Sequence, residues 1–201
     1  DNVQSFVTAF ASVGPAAEAR GPYVATAAQL ISLFSCFGQR DQVRLFLAAM
    51  QRAAAGIANS DMLTRGHMTE GHGWYALLLT SDLTLACALA QESVAAFRQA
   101  GDQRGLMRAQ TLLGMTLLEI GDLRRAQESM RSAVALAEQW GEPLGPAMAK
   151  IYLAWVLSEQ SDPQALEEAR RIVASLLPLA LGPAYAGFLQ LTLAQICFRQ
   201  G

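Results

Sequence analysis

The sequence has few of the residues on which catalytic and metal sites depend. Its 201 residues include three cysteines and two histidines. Cys36, Cys87 and Cys197 lie far apart along the chain, in neither a disulfide framework nor the spacing of metal ligands. This cysteine usage is typical of a reducing compartment, so we expect a cytoplasmic location.

The histidines and glycines do not form a recognisable chemical motif. A zinc pair on one helix face needs a spacing of three or four, and His67 and His72 are further apart than that. The glycines between positions 66 and 73 follow no predicted strand and precede no GK[ST], so they do not predict a phosphate loop. We interpret them as a helix breaker between repeats, with the histidines in a loop or at a helix start. The sequence therefore predicts no metal, no cofactor and no enzymatic activity.

Charge is also scarce, at 16 % of residues with a net charge of −2. Without a basic field, nucleic-acid binding is not expected. Residues 172–198 carry no charge and are longer than the roughly 20 residues that cross a bilayer. Pro178 and Gly182 lie near the middle, so this stretch predicts two helices with a turn and no membrane span. Residues 1–14 lack the basic region and cleavage site of a secretory signal.

What the chain does contain is an internal repeat, with a period of about 40 residues that lies in the range of solenoid units. Three leucines recur at this interval, at positions 77, 117 and 157, and three aspartates recur at positions 82, 122 and 162. Such self-similarity indicates a solenoid, whose units bury their apolar faces only by stacking on one another. The expected function of such a chain is binding along an extended surface.

The clearest unit, residues 106–145, predicts a pair of helices. Apolar residues follow a helical stripe over 106–120. Gly121 then ends the first helix, with an expected positive φ, and Asp122 caps the second, at 123–140. Residues 141–143 include a proline and close the unit.

The unit resembles the tetratricopeptide (TPR) consensus in the order and spacing of its small and apolar residues. The matching positions are Leu113, Gly114, Leu117, Gly121, Leu123, Ala126, Met130 and Ala133. The resemblance implies an all-α fold, an α-α superhelix in which some ten helices form a right-handed TPR-like solenoid of antiparallel helix pairs.

We expect residues 1–201 to form a single array. Residues 64–201 would hold about three and a half repeats, and residues 1–62 divergent helices at 3–13, 23–37 and 41–58. The unit at 66–105 departs from the pattern, because Trp74 falls where a small residue is expected. Residues 188–201 form half a unit, so we expect the array to continue beyond them.

Phrases such as GHGWYALLLTSDL and LLGMTLLEIGDLRRAQ also resemble the long-period TPR arms of bacterial signalling proteins that carry a Ser/Thr kinase or a regulatory ATPase. The near absence of lysine beside many arginines is typical of a GC-rich bacterial genome. This resemblance implies recognition of a protein or peptide by a regulatory or sensor arm. The alternatives are a small-ligand or peptide-pheromone sensor, or self-association into a homo-oligomer through the C-terminal half-repeat.

In TPR arrays the first helix of each pair lines a concave groove. Carried over residue by residue, the resemblance predicts a binding groove lined by Met68, His72, Tyr75, Arg108, Thr111, Met115, Leu118, Met148, Ile151, Trp155, Phe188 and Leu191. This lining is unusually rich in methionine and aromatic residues, which favours a partner that docks by an apolar helix face. A shift of one residue in the register would instead place Met115 or Trp155 in the core.

Overall fold

The computed structural model describes residues 2–58, 60–139, 144–179 and 183–200, and every regular element in them is helical. The all-α prediction is thereby confirmed. Ten α-helices lie in the described part of the chain: α1 Asn2–Ser12, α2 Arg20–Cys36, α3 Arg40–Ala54, α4 Met62–Tyr75, α5 Leu83–Ala100, α6 Gln103–Ile120, α7 Leu123–Glu138, α8 Leu144–Ser158, α9 Pro163–Leu176 and α10 Pro183–Gln200. The chain divides into two compact units, Asp1–Thr116 (unit 1) and Leu117–Gly201 (unit 2).

An aspartate at the start of a helix explains much of the sequence repeat. The side chains that accept backbone N–H hydrogen bonds in a first helical turn are those of Asp61, Asp82, Asp102, Asp122 and Asp162. Each such bond satisfies a donor that has no partner within the helix. The period of the sequence is therefore the number of residues between equivalent helix caps, such as Asp82 and Asp122. Asp102, which caps the helix between them, lies halfway along this interval.

Glycine follows the ends of several helices in a left-handed conformation. Gly38, Gly101 and Gly121 have φ values of 67°, 72° and 87°. A residue without Cβ adopts this region without strain. The positive φ predicted for Gly121 is confirmed, whereas the predicted end of α7 at residues 141–143 lies outside the described residues.

In unit 1, α2 packs against α3 and α4, α4 packs against α5, and α1 covers α3. The core between α1, α2 and α3 contains Val24, Ile31, Phe46 and Met50, all fully buried. Tyr23 ties α1 to this core, because its ring stacks on Phe10 and its hydroxyl donates to the Phe10 carbonyl at 2.5 Å.

The glycine-rich segment of unit 1 lies inside α4, so the interpretation as a helix breaker was wrong. A Cβ at Gly66 would lie 2.8 Å from the Phe97 ring, and one at Gly73 would lie 2.7 Å from the Leu112 side chain. The glycines permit close approach of α5 and α6, and this packing outweighs their low helix propensity. His67 and His72 are accordingly in the body of this helix.

Directly after α4, the residues Ala76–Thr80 form a π-helical segment. The interval from Asp61 to Asp82, the caps of α4 and α5, is one residue longer than the interval from Asp102 to Asp122. A π turn holds one residue more than an α turn and so absorbs the difference. The unexpected position of Trp74 thus reflects a shift of one residue in the register of this repeat relative to the next.

In unit 2, α8 packs against α7 and α9, and α10 packs against α8 and α9. The uncharged stretch 172–198 contains the end of α9, a short 3-10 turn at Leu177–Leu179 and most of α10. The predicted interruption of this stretch is therefore present. Within the residues that the structure describes, no helix has the length and apolarity required to cross a membrane.

Candidate functional site

A buried ion pair joins α4 to α6 in unit 1. Arg108 donates from Nε to Glu70 Oε1 at 2.8 Å and from Nη2 to Glu70 Oε2 at 3.2 Å. The Glu70 side chain is 1 % exposed and the Arg108 side chain 25 %. This forked geometry satisfies both carboxylate oxygens, as a buried carboxylate requires.

His67 and Phe97 complete this cluster. His67 Nδ1 lies 3.6 Å from Glu70 Oε2 and 3.5 Å from Arg108 Nη2. The His67 ring meets Phe97 edge to face at 4.9 Å, and the guanidinium lies 5.7 Å from the Phe97 ring centre. With its oxygens engaged and water excluded, Glu70 is held in one position and serves to fix α4 against α6.

The predicted groove residues of α4 do not join this cluster. Met68 and Tyr75 pack, partly buried, against the core of α1, α2 and α3. His72 contacts the Met68 carbonyl through Nδ1 at 2.7 Å and Gln51 of α3 through Nε2 at 3.1 Å. This face of α4 is turned toward the preceding helices.

The shift of one residue in the register explains why the residues predicted on α4 lie on a different face of the helix from Glu70. Gly73 lies as far along the chain from Asp61 as Gly114 lies from Asp102. Counted from these caps, the three α4 residues equivalent to Arg108, Thr111 and Met115 are His67, Glu70 and Trp74. The unequal spacing of the aspartate caps was the signal that could have identified them.

Within α6, the predicted groove residues are mostly buried. Thr111 and Met115 are each 7 % exposed, and the Thr111 hydroxyl donates to the Met107 carbonyl of the same helix. Both therefore belong to the core, which the alternative register allowed for Met115. Leu118 is half-buried, and Arg108 is engaged by Glu70.

An aromatic cluster in unit 2 brings together several predicted residues. The ring centres of Trp155 on α8 and Phe188 on α10 are 5.4 Å apart, and Tyr152 approaches Phe188 at 6.2 Å. Trp155 is half-buried and Phe188 is 36 % exposed. Their accessible faces form an apolar surface that bridges two helices, and we call Tyr152, Trp155 and Phe188 the aromatic patch.

Three further predicted residues lie on the same two helices. Met148 on α8 is half-buried, and Leu191 on α10 is 56 % exposed. Ile151 is only 1 % exposed, so its prediction as a groove residue was wrong: its side chain fills the interior instead.

The polar groups near the aromatic patch are satisfied within unit 2. Glu159 accepts from Arg199 at 2.7 Å and from the side-chain amide of Gln195. Ser158 donates to Gln195 at 3.3 Å. The patch therefore presents aromatic surface beside charges that already compensate one another.

The described residues contain no cluster of three or more His, Cys, Asp or Glu that could hold a metal ion. Burial raises the pKa of the Cys36 thiol, although part of the residue is solvent-exposed. This thiol is therefore protonated at neutral pH and is a poor nucleophile.

Two open cavities lie in unit 1. One, of about 370 Å³, is at the corner between α3 and α4, and its lining includes Ile57, Asp61 and Met68. The other, of about 530 Å³, lies among α1, α2 and α3, with Leu33 and Phe37 on its wall. Neither is enclosed, as a site that closes around a small effector would be.

Comparisons of the chain with protein-family models, with curated proteins and with solved structures found no significant match.

Proposed function

We propose that this protein recognises another protein or a peptide, and that the aromatic patch of unit 2 is a recognition surface. The observation that carries the proposal is the pairing of Trp155 with Phe188 across two helices while both rings stay accessible. Trp and Tyr dominate binding energy at interfaces, because they bury a large area with little loss of conformational entropy. An accessible aromatic cluster beside compensated charges suits this use.

The helix packing supports a TPR-like array as the scaffold for this surface. In unit 1 the first helix of one pair, α2, contacts the first helix of the next, α4, and in unit 2 α8 contacts α10 in the same way. Together with the sequence repeat, these contacts are those expected of stacked helix pairs. We further propose the regulatory arm of a bacterial, cytoplasmic signalling protein, which rests on the sequence resemblance. The sensor alternative gains no support from the open cavities.

The experiment is selection of peptides on the whole chain, followed by affinity measurements with variants. We expect peptides selected by phage display to bind Phe188→Ala and Trp155→Ala at least tenfold more weakly, a loss of about 1.4 kcal/mol or more. Arg124→Ala is the control, because the Arg124–Glu128 pair is exposed and lies on α7.

Melting curves separate loss of binding from loss of folding. Phe188 is the more exposed of the two rings, so Phe188→Ala should keep its melting temperature within a few degrees. Peptides that bind all the variants equally would refute the aromatic patch as the recognition surface.

A further inference from the structure

The last helix, α10, has apolar residues on two opposite faces. Leu189, Thr192 and Ile196 are buried on the inner face. A second row is exposed, with spacings of four, three and four along the sequence: Gly187, Leu191, Ala194 and Phe198. At about 3.6 residues per turn these four share one face, about 180° from the buried one. We call them the outer row.

The outer row is unusually bare for an apolar surface. Leu191 is 56 % exposed and Phe198 87 %, and a Cβ at Gly187 would meet nothing within 4 Å. The row carries no charge. The neighbouring charged residue along the chain, Arg199, is paired with Glu159. A helix that is apolar on all sides is normally covered.

The repeat shows what normally covers this row. One repeat earlier, the equivalent positions on α8 are Ala147, Ile151, Ala154 and Ser158, which are 2 %, 1 %, 0 % and 0 % exposed. They are buried in a helix on which α7, α9 and α10 pack. The row is therefore a surface for packing helices, and on α10 it has no described helix against it.

The order of residue sizes in the outer row suits a second copy of the same helix. Small and large residues alternate along it, from Gly187 through Leu191 and Ala194 to Phe198. When the same row is read from its other end, the large residues come where the small ones were. A second copy of the helix that runs antiparallel would therefore place Phe198 over Gly187 and Leu191 over Ala194. Such self-complementarity is what a two-fold interface requires. The lack of charge means that two copies do not repel each other there.

We propose that two copies of this protein associate through their outer rows, with the two α10 helices antiparallel. Large side chains enter the gaps over the small ones, and the helix axes approach to about 8–10 Å. One helix face covers far less than the roughly 800 Å² per partner of a standard interface, so the dimer is weak. Sequence reasoning raised self-association through this segment; the outer row supplies its residues and orientation.

Sedimentation equilibrium of the whole chain at increasing concentration tests this proposal. We expect a reversible monomer–dimer equilibrium, with a Kd in the range of roughly 10–500 μM for an interface of this size. Phe198→Gln and Gly187→Leu should each raise the Kd at least tenfold. A Cβ at position 187 meets nothing within 4 Å, so we expect Gly187→Leu to fold normally. Leu177→Gln changes a similarly exposed leucine outside α10 and is the control.

A double variant tests the antiparallel orientation. Gly187→Leu combined with Phe198→Ala exchanges the small and large positions, and in an antiparallel pair each new leucine again faces a small residue. We expect the double variant to recover most of the dimerisation lost in Gly187→Leu.

A chain that stays monomeric at the highest concentration of the series, about 1 mM and so twice the upper end of this Kd range, would overturn the proposal. A dimer that is insensitive to the outer-row variants would overturn it as well. A dimer that the double variant fails to restore would overturn the antiparallel pairing. None of these results bears on the aromatic patch, because Trp155 and Phe188 are not in the outer row.

Discussion

At the scale of single residues, the left-handed positions at helix ends are the best-defined feature. Gly38, Gly101 and Gly121 occupy three of them, and Ser81, with a φ of 55°, is the single non-glycine residue in this region among those described. Ser81 and Gly121 are equivalent positions of successive repeats. The two repeats thus place different residues in the same backbone conformation.

Ser81→Gly should therefore stabilise the protein. A left-handed conformation costs an L-residue about 1–2 kcal/mol, and the entropy that glycine gains in the unfolded chain offsets part of this. We expect the unfolding free energy to rise by about 0.5 kcal/mol in urea titrations. The reciprocal change, Gly121→Ser, should lower it by about 0.5 kcal/mol, since a Cβ there meets strain but no neighbour. A loss of stability in Ser81→Gly would contradict this argument.

Ionisation of Tyr23 should lower the stability of the protein at alkaline pH. Burial raises the pKa of Tyr23 above its ordinary value of 10.0, and the smaller effect of the Arg52 charge acts in the opposite direction. Only the neutral hydroxyl donates to the Phe10 carbonyl. Because the folded-state pKa is the higher one, this contribution is complete below pH 10 and is lost as the pH rises through the folded-state pKa.

We expect Tyr23→Phe to cost about 1 kcal/mol at pH 7, the value of one hydrogen bond. Above pH 10 the stability difference between wild type and Tyr23→Phe should shrink. Thermal unfolding of both proteins from pH 7 to pH 11.5 measures this, since the other tyrosines titrate in both. A difference that stays constant over this range would show that the hydroxyl does not titrate as argued.

At the scale of elements, the π-helical segment predicts which deletions the protein tolerates. Without Ala76, the number of residues between Gly73 and Asp82 would equal the number between Gly114 and Asp122. An ordinary α-helix could then replace the π-helical segment. We expect the deletion to change the unfolding free energy by about 1 kcal/mol or less. Circular dichroism and urea unfolding would measure it.

The matched control is deletion of Thr116, the equivalent residue of α6. This segment has no extra residue, so the deletion rotates the remainder of α6 by about 100° against its neighbours. We expect a loss of more than about 3 kcal/mol, or failure to fold. Equal tolerance of the two deletions would show that the π segment does not hold the additional residue.

The buried ion pair between α4 and α6 should matter far more than exposed pairs. Arg108→Ala leaves Glu70 buried without its partner, which costs about 3 kcal/mol. Arg124→Ala breaks a pair whose side chains are 76 % and 61 % exposed, and we expect no measurable change in the melting temperature. Small effects of both changes in calorimetry would contradict this argument.

Most helices were predictable from the sequence, because their apolar stripes, Asp caps and terminal glycines are local signals. Gly121 and Asp122 are examples. The helix α4 was not predictable in this way. Its glycines are compatible with a stable helix only because the Phe97 and Leu112 side chains pack closely against them. The register of α4 was missed as well: a shift of one residue moved the expected face from His67 and Trp74 to Met68 and Tyr75. Trp155 and Phe188, which were predicted as groove residues, are half-buried and 36 % exposed respectively, and their role in binding stays a prediction.

At the scale of the whole molecule, charge plays a small part. The net charge is −2, and some of the charged side chains neutralise one another in ion pairs such as Arg65–Glu92, Arg131–Glu168 and Arg199–Glu159. No strong field of one sign is available to attract a partner over a distance. The proposed recognition would therefore rely on apolar contact at short range.

Binding to the aromatic patch should therefore be nearly independent of ionic strength. We expect the Kd of a selected peptide to change less than threefold between about 50 mM and about 500 mM NaCl, because screening acts on charge pairs and not on apolar contacts. Fluorescence anisotropy with a labelled peptide measures this directly. A Kd that rises tenfold would show that charged groups dominate the interaction.

The glycines of α4 also set an order of events during synthesis. Gly66, Gly71 and Gly73 each lower the intrinsic helix propensity by about 1 kcal/mol relative to alanine, so a nascent α4 has little tendency to form alone. Ile31 and Met50, the neighbours of Gly71, have already left the ribosome when α4 emerges, whereas Phe97 and Leu112 have not. We therefore expect the newly made segment to stay partly unstructured until α5 and α6 have been translated.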